Sequence, residues 1–323
     1  MLVLAGCSGT QSQDDLQAAP TLVAATPAVS PPPSAKPDGT VVSVAGPVTA
    51  IAVDPRSRTF AVAIQKPAQV EFLSLDDPQA TPVVVPLPGV VTHLSYAQAG
   101  GPLLAPVAGA NELVEIGILR AAITRVVKIP GGPTSAALFD NKILVTVPTR
   151  HAIDEVVGTK VTGSITGEVN PEQILVTGGR TVMLDRIRSA VFDVNAVAGS
   201  IGAGLRAGQG ATNAAVDGFG RVLVTDTRTG QLLAFSANPV LERQSAPAPG
   251  VPYGIAVDTT RHIAWVTATK LNEVIGYQLT GSQPVLKYRL PTVQQPNSVA
   301  VDPASGRVIV ASADGGGVQV MQP

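Results

Sequence analysis

From residue 46 onward the apolar positions come in short runs rather than helical stripes. Arg221-Val222-Leu223-Val224-Thr225, Ile263-Ala264-Trp265-Val266-Thr267 and Arg307-Val308-Ile309-Val310-Ala311 are rich in Val, Ile and Thr and bounded by Gly, Asp or Pro. β-Branched runs of this length between turn formers predict strands. No stretch of ten or more residues in this region keeps a 3.6-residue apolar period, so the predicted class is all-β.

One phrase recurs. Thr49-Ala50-Ile51-Ala52-Val53-Asp54-Pro55 returns as Tyr253-Gly254-Ile255-Ala256-Val257-Asp258 and as Asn297-Ser298-Val299-Ala300-Val301-Asp302-Pro303. Looser copies begin at Thr92, Thr134, Gln173 and Asn213. Equivalent positions fall at 51, 94, 137, 175, 214, 255 and 299, spaced by 38–44 residues. That period, filled by short strands, predicts a β-propeller of seven four-stranded blades. In the sixth repeat the strands are expected near 253–257, 262–268, 273–279 and 285–290.

The aspartate closing each phrase opens a turn, as in Asp54-Pro55-Arg56-Ser57 and Asp302-Pro303-Ala304-Ser305-Gly306. Asp at the first turn position caps the backbone and Pro at the second presets φ, so these carboxylates are turn formers. The last repeat ends after its third strand. An open edge there invites pairing, and residues 40–45 have strand composition and no other place, so they are expected to close the ring as its outer strand.

The N-terminal part reads differently. Leu4-Ala5-Gly6-Cys7 resembles the lipobox of bacterial lipoproteins. That resemblance implies cleavage before Cys7 and lipidation of its thiol, with residues 1–7 the remnant of a signal. A full signal has a basic region and ~7–15 apolar residues; only six residues precede Cys7, which implies a true start farther upstream or a trimmed signal. Residues 8–37, rich in Ser, Gln, Ala, Thr and Pro, read as a disordered tether with an r.m.s. reach of roughly 30 Å. The propeller is expected over 38–323. The implied location is the extracytoplasmic face of the cell membrane.

Composition narrows the chemistry. The 323 residues are 45% hydrophobic, 14% charged and 3% aromatic, which excludes a wholly disordered chain. Twenty-two basic and 23 acidic residues give a net charge of −1, which argues against a nucleic-acid partner. A single cysteine excludes an intramolecular disulfide and a cysteine-based zinc site. No run of about 20 apolar residues is present to span a membrane as a helix.

The recurring phrase Pro-x-x-Ile/Val-Ala-Val-Asp, a turn and then a Val-rich strand resembles the YVTN/NHL-like and lactonase-like seven-bladed propellers over residues 40–323. With the lipobox and the Ala/Val/Pro-heavy composition, the chain resembles an actinobacterial, mycobacterial-type envelope lipoprotein. The resemblance implies ligand binding on the face formed by the d–a and b–c loops around the central channel. At the starts of strand a that face would carry Thr49, His93, Thr134, Gln173, Asn213, Tyr253 and Asn297. Its b–c loops would add Lys66, Asn111, Arg150, His151, Arg228, Lys270, Asn272 and Asp314. The candidate ligand-binding set is His93, Arg150, His151, Asn213, Arg228, Tyr253, Lys270, Asn272 and Asn297.

Each candidate has a structural alternative. His93 could be a base at the channel or a hydrogen-bonded filler of its mouth. His151 with Asp154 and Glu155 fits no standard ligand spacing and reads as solvated loop charge. His262 reads as a turn residue and Trp265 as packing between blades. No catalytic residue, metal ligand or cofactor is assigned. The expectation is a monomeric, lipid-anchored propeller that binds an envelope protein, a glycan or a small ligand through its loop face. The alternative is a lactonase-like, metal-dependent hydrolase with its site in the channel; there Asn213, Asn297 and Glu172 are the available oxygen ligands.

Overall fold

The computed structural model describes residues 22–323; Cys7, the signal remnant 1–7 and residues 8–21 lie outside the described residues. The described residues form seven four-stranded antiparallel sheets. The first strands of neighbouring sheets touch one another around the ring, so strand a is innermost and lines the channel. The architecture is a seven-bladed β-propeller, as the 38–44-residue period implies.

Blade 6 shows the common plan: Pro252–Asp258, Ile263–Ala268, Glu273–Gln278 and Val285–Pro291. These bounds match the strands read from the repeat. Strand b is buried along its whole length in this blade, because it is an inner strand packed on both sheet faces. Strand d is mostly exposed, because only one of its faces meets a neighbouring blade. Burial on both faces is what makes the b strands read as continuous apolar runs.

Seven apolar clusters lie among the described residues, one between each pair of adjacent blades. Trp265 is buried between blades 6 and 7 with Val274, Val299, Val310 and Met321, and stacks on Tyr288 at 5.4 Å between ring centroids. His262 sits in the a–b turn at φ 53° and stacks on Phe219 of the preceding blade. Trp265 therefore packs between blades and His262 lies in a turn, as the sequence suggests; the stacking of His262 on Phe219 is added by the neighbouring blade.

The ring closes with Thr40–Val42, which pairs antiparallel with Val318–Met321 in the register Val41↔Gln319. Gln319 is fully buried and clamps this junction. Its Nε2 donates to the carbonyls of Asp38 (2.7 Å) and Pro291 (3.0 Å), and its Oε1 accepts from the Val293 N–H (3.0 Å). Arg58 of blade 1 adds an ion pair to Asp302 of blade 7 at 2.9 Å.

The turn aspartates behave as capping residues. Asp54 accepts from the backbone N–H of Ser57 (3.0 Å) and, across the blade interface, of Gly100 (2.9 Å). Asp302 accepts from the N–H groups of Ala304 and Ser305.

One segment departs from the sequence reading. Composition marks 8–37 as a tether, yet residues 22–37, which form neither helix nor strand, are hydrogen-bonded to blades 4–7 from Val23 to Pro31. The reason is tertiary. The partners of its backbone are side chains more than 150 residues away in sequence, which no local pattern encodes.

Candidate functional site

The channel mouth is built by bulges. Strand a slips against strand b between Val48/Ala50, Pro171/Gln173, Ala211/Ala214, Pro252/Ile255 and Pro296/Ser298. A bulge leaves a residue unpaired and re-aims its side chain. Thr49, Glu172, Asn213, Tyr253 and Asn297 occupy these positions, and all five line a cavity of about 350 Å³ together with His93, Gln173 and Arg186. The structure thus brings His93, Asn213, Tyr253 and Asn297 of the sequence-derived set into one place.

Most polar groups on this rim are engaged in holding blade to blade. Ser95 Oγ donates to the Ala136 carbonyl at 2.7 Å, and Thr134 Oγ1 to the Glu172 carbonyl at 2.8 Å. Gln173 donates to the Ala214 carbonyl (2.9 Å) and accepts from the Ala214 N–H (3.0 Å). Asn213 Nδ2 donates to the Tyr253 carbonyl at 3.1 Å, and Ser298 Oγ reaches the Thr49 carbonyl at 3.4 Å. The threonines of strand b reinforce these clasps: Thr225 Oγ1 also donates to the Tyr253 carbonyl at 2.8 Å. The Asn213 amide, a candidate ligand group from sequence, is therefore a clasp between blades 5 and 6.

Besides Tyr253, three titratable side chains stand at the mouth: His93, Glu172 and Arg186. Burial, with the Arg186 charge adding to it, pulls the His93 imidazole down to about 4, so it is neutral at pH 7. Burial pushes the Glu172 carboxyl above its ordinary value, against the lowering effect of Arg186. The Arg186 guanidinium stands 3.9 Å from the Glu172 carboxylate. Among the described residues no group of three or more His, Cys, Asp or Glu side chains is placed to share a metal ion.

Around the mouth, the b–c loops form a second ring. In blades 2, 3 and 6 the loop is a short 3-10 turn, Ala108–Ala110, Pro148–Arg150 or Thr269–Leu271. Each turn ends on a left-handed residue: Asn111, His151 or Asn272, with φ between 52° and 54°. Asn tolerates this conformation better than most residues. Each side chain then reaches the d–a loop. Asn111 Oδ1 accepts from the N–H groups of Gly131 and Gly132 (both 2.9 Å), His151 Nδ1 meets the Val169 carbonyl at 2.7 Å, and Asn272 Oδ1 accepts from the Gln295 N–H at 3.1 Å.

The possible grouping of His151, Asp154 and Glu155 does not form. Asp154 pairs with Arg150 and accepts from Ser164 Oγ (2.9 Å), while Glu155 pairs with Lys142 on a separate contact. Lys66 and Lys270 are exposed. Asp314 is held locally by Ser312. Arg228 donates from Nη1 to the Gln209 carbonyl (2.9 Å) and from Nη2 to Val23.

Three residues of this face escape the sequence reading. Arg186 directly follows strand b of blade 4, one position before the place that Arg228 takes in blade 5. Thr269 follows strand b of blade 6 in the same way. Gln295 lies in the loop before the last strand a at φ 51°, and nothing in the local sequence marks it.

No protein-family model matches the chain, and no curated protein matches its sequence. Solved structures do match in shape. Hydrazine synthase of Kuenenia stuttgartiensis aligns with a TM-score of 0.75 at 16% identity, over 90% of this chain and 99% of that one. The Cps50 (Swd1) β-propeller domain of Myceliophteria thermophila aligns with a TM-score of 0.75 at 11% identity, over 89% and 100% of the two chains. Virginiamycin B lyase of Staphylococcus aureus aligns with a TM-score of 0.70 at 13% identity, over 85% and 95%. At these identities the likeness is one of fold, and this fold hosts unrelated activities. The chain is a seven-bladed β-propeller.

Proposed function

We propose that this chain is a non-catalytic binding propeller of the cell envelope, anchored by a lipid on Cys7, which engages a protein, a glycan or a small ligand through its loop face. The observation that carries this reading is a division of labour among the polar groups. The strand-a rim residues are largely engaged between blades, whereas the b–c loop side chains Arg186, Arg228, Thr269 and Asn272 bond to chain laid across the face. The Cps50 (Swd1) likeness supports the reading only as a precedent of shape.

The described chain begins on the loop face, at the blade 5 residue Arg228. An anchor at Cys7 would therefore tether the propeller from the side of that face. Replacing Cys7 with Ser should move the protein from the membrane to the soluble fraction.

The direct test is cross-linking capture from envelope membranes, with the full chain beside a variant carrying Arg150→Ala, Arg228→Ala, Lys270→Ala and Asn297→Ala. A partner held by the first and lost by the second supports the loop face. Equal capture by both overturns it.

A second reading, lactonase-like hydrolysis in the channel, is favoured by the neutral His93 beside Glu172 and Arg186. One of the structural likenesses is itself a lyase. Turnover of a lactone that is abolished by His93→Ala would establish that reading.

A further inference from the structure

Residues 22–33 cross the loop face as neither helix nor strand, and the face holds their backbone more than their side chains. Gln295 is the centre of the contact. Its Nε2 donates to the Ala28 carbonyl at 2.7 Å, and its Oε1 accepts from the Ser30 N–H at 2.9 Å. One side-chain amide thereby pairs residues i and i+2, as a parallel neighbouring strand would.

Arg228 Nη2 donates to the Val23 carbonyl, and three further side chains hold the backbone by single bonds. Asn272 Nδ2 donates to the Pro31 carbonyl at 2.8 Å, Arg186 Nη2 to the Ala25 carbonyl at 2.8 Å, and Thr269 Oγ1 accepts from the Ala28 N–H at 3.2 Å.

Only two side chains of the segment are enclosed. Ala25 is 5% exposed and sits over Gly210, where a Cβ would come within 3.0 Å of the Ala25 Cβ. Ser30 is 6% exposed and its hydroxyl donates to the Thr269 carbonyl. Val23 and Val29 are 68% and 90% exposed. Pro27 and Pro31-Pro32-Pro33 favour the extended form before binding, which lowers the entropy lost on docking.

Such a contact is specific in geometry but modest in strength. Each hydrogen bond is worth about 0.5–1.5 kcal/mol net, and little apolar area is buried by the exposed valines. It persists because the segment is covalently tethered to the ring, which gives an effective concentration on the order of millimolar.

We infer that the loop face of blades 4–7 is a receptor for an extended, proline-containing polypeptide segment with a small residue and, five positions on, a serine followed by proline, and that residues 22–33 are its occupant in cis. This rests on the loop-face reading and selects polypeptide among the ligands that reading left open. A partner segment of the same chemistry binds when it displaces the cis occupant.

The test uses the full chain in two forms, wild type and a release variant with Ala25→Glu and Ser30→Asp. Both substitutions lie outside the blades, so the thermal midpoint should stay near that of the wild type. The probe is a fluorescent synthetic peptide of residues 22–36. The release variant should bind it at least about tenfold more tightly than the wild type does, since the wild-type site is already filled by a tethered competitor. Adding Gln295→Ala to the release variant removes two bonds and should weaken binding about tenfold or more. Arg228→Ala, on a different loop, removes the bond to the Val23 carbonyl and should weaken binding independently.

Equal binding by the two forms overturns the inference, as does release-variant binding that Gln295→Ala leaves unchanged. Capture that depends on the loop face in the membrane experiment, beside no peptide binding here, rejects the polypeptide assignment while leaving the loop-face reading in place. Failure of both rejects both.

Discussion

Arg186 donates from its guanidinium to the carbonyl of Ala25 at 2.8 Å. The same side chain lines the channel mouth and faces Glu172. One residue therefore links the segment laid on the face to the titratable groups of the channel. Arg186→Gln should raise the His93 pKa above about 4, since a repelling positive charge is removed. Burial, the larger cause, should still hold it below the ordinary histidine value. Titration of the His93 ring signals by NMR measures the shift; an unchanged value would show that Arg186 exerts no field at the channel.

The same histidine makes stability depend on pH. Its folded-state pKa of about 4 lies below the unfolded value of 6.5. Between these values the unfolded chain takes up a proton and the folded one does not, so stability rises with pH across this window and levels off above it. Glu172, whose pKa is raised, works in the opposite sense from its ordinary value of 4.5 upward. The comparison is therefore between wild type and His93→Gln. Denaturant unfolding at pH 4.5 and pH 7 should show a smaller pH difference for His93→Gln than for the wild type.

Asn213 distinguishes clasp from ligand group. Asn213→Ala removes the bond to the Tyr253 carbonyl and should cost about 1 kcal/mol of stability, with partner capture unchanged. Stability within error of the wild type, together with lost capture, would return Asn213 to the binding site.

Ring closure rests on a short strand and one buried amide. Gln319→Leu leaves the Val293 N–H and the Asp38 carbonyl without this partner, while the Pro291 carbonyl still accepts from the Asp38 N–H at 3.3 Å, at a cost of about 1–3 kcal/mol for a buried group left unsatisfied. Deleting residues 38–46 removes the closing strand itself and should lower the melting temperature further. An unchanged midpoint in the deletion would mean that the outer strand contributes nothing to closure.

The blades were legible in the sequence because each repeat carries its own local code. Val-rich b strands are buried on both faces, and Asp54, Asp258 and Asp302 cap the turns that follow strand a. Strand positions in the sixth repeat could be read almost to the residue for the same reason. The channel mouth was half legible. The repeat map placed His93, Asn213, Tyr253 and Asn297 there, but bulges and clasps depend on what the adjacent blade presents, so the engagement of Asn213 was hidden.

The docking of residues 22–31 was not legible at all. Its composition is that of a solvated linker, and its hydrogen-bond partners Arg186, Arg228, Thr269, Asn272 and Gln295 come from four separated stretches of the chain. Asn111, His151 and Asn272 share one role, a left-handed turn end reaching into the d–a loop; Asn111 and Asn272 are each followed by Glu and an aliphatic residue, whereas His151 is not.

Hydrogen–deuterium exchange on the full chain tests the central claim, that the loop face holds this segment, most directly. The amides of Ala28 and Ser30, bonded to Thr269 and Gln295, should exchange markedly more slowly than the same sequence in a free peptide, with Gln295→Ala releasing Ser30 and Thr269→Val releasing Ala28. Exchange of both amides at the free-peptide rate in the wild type would contradict the account.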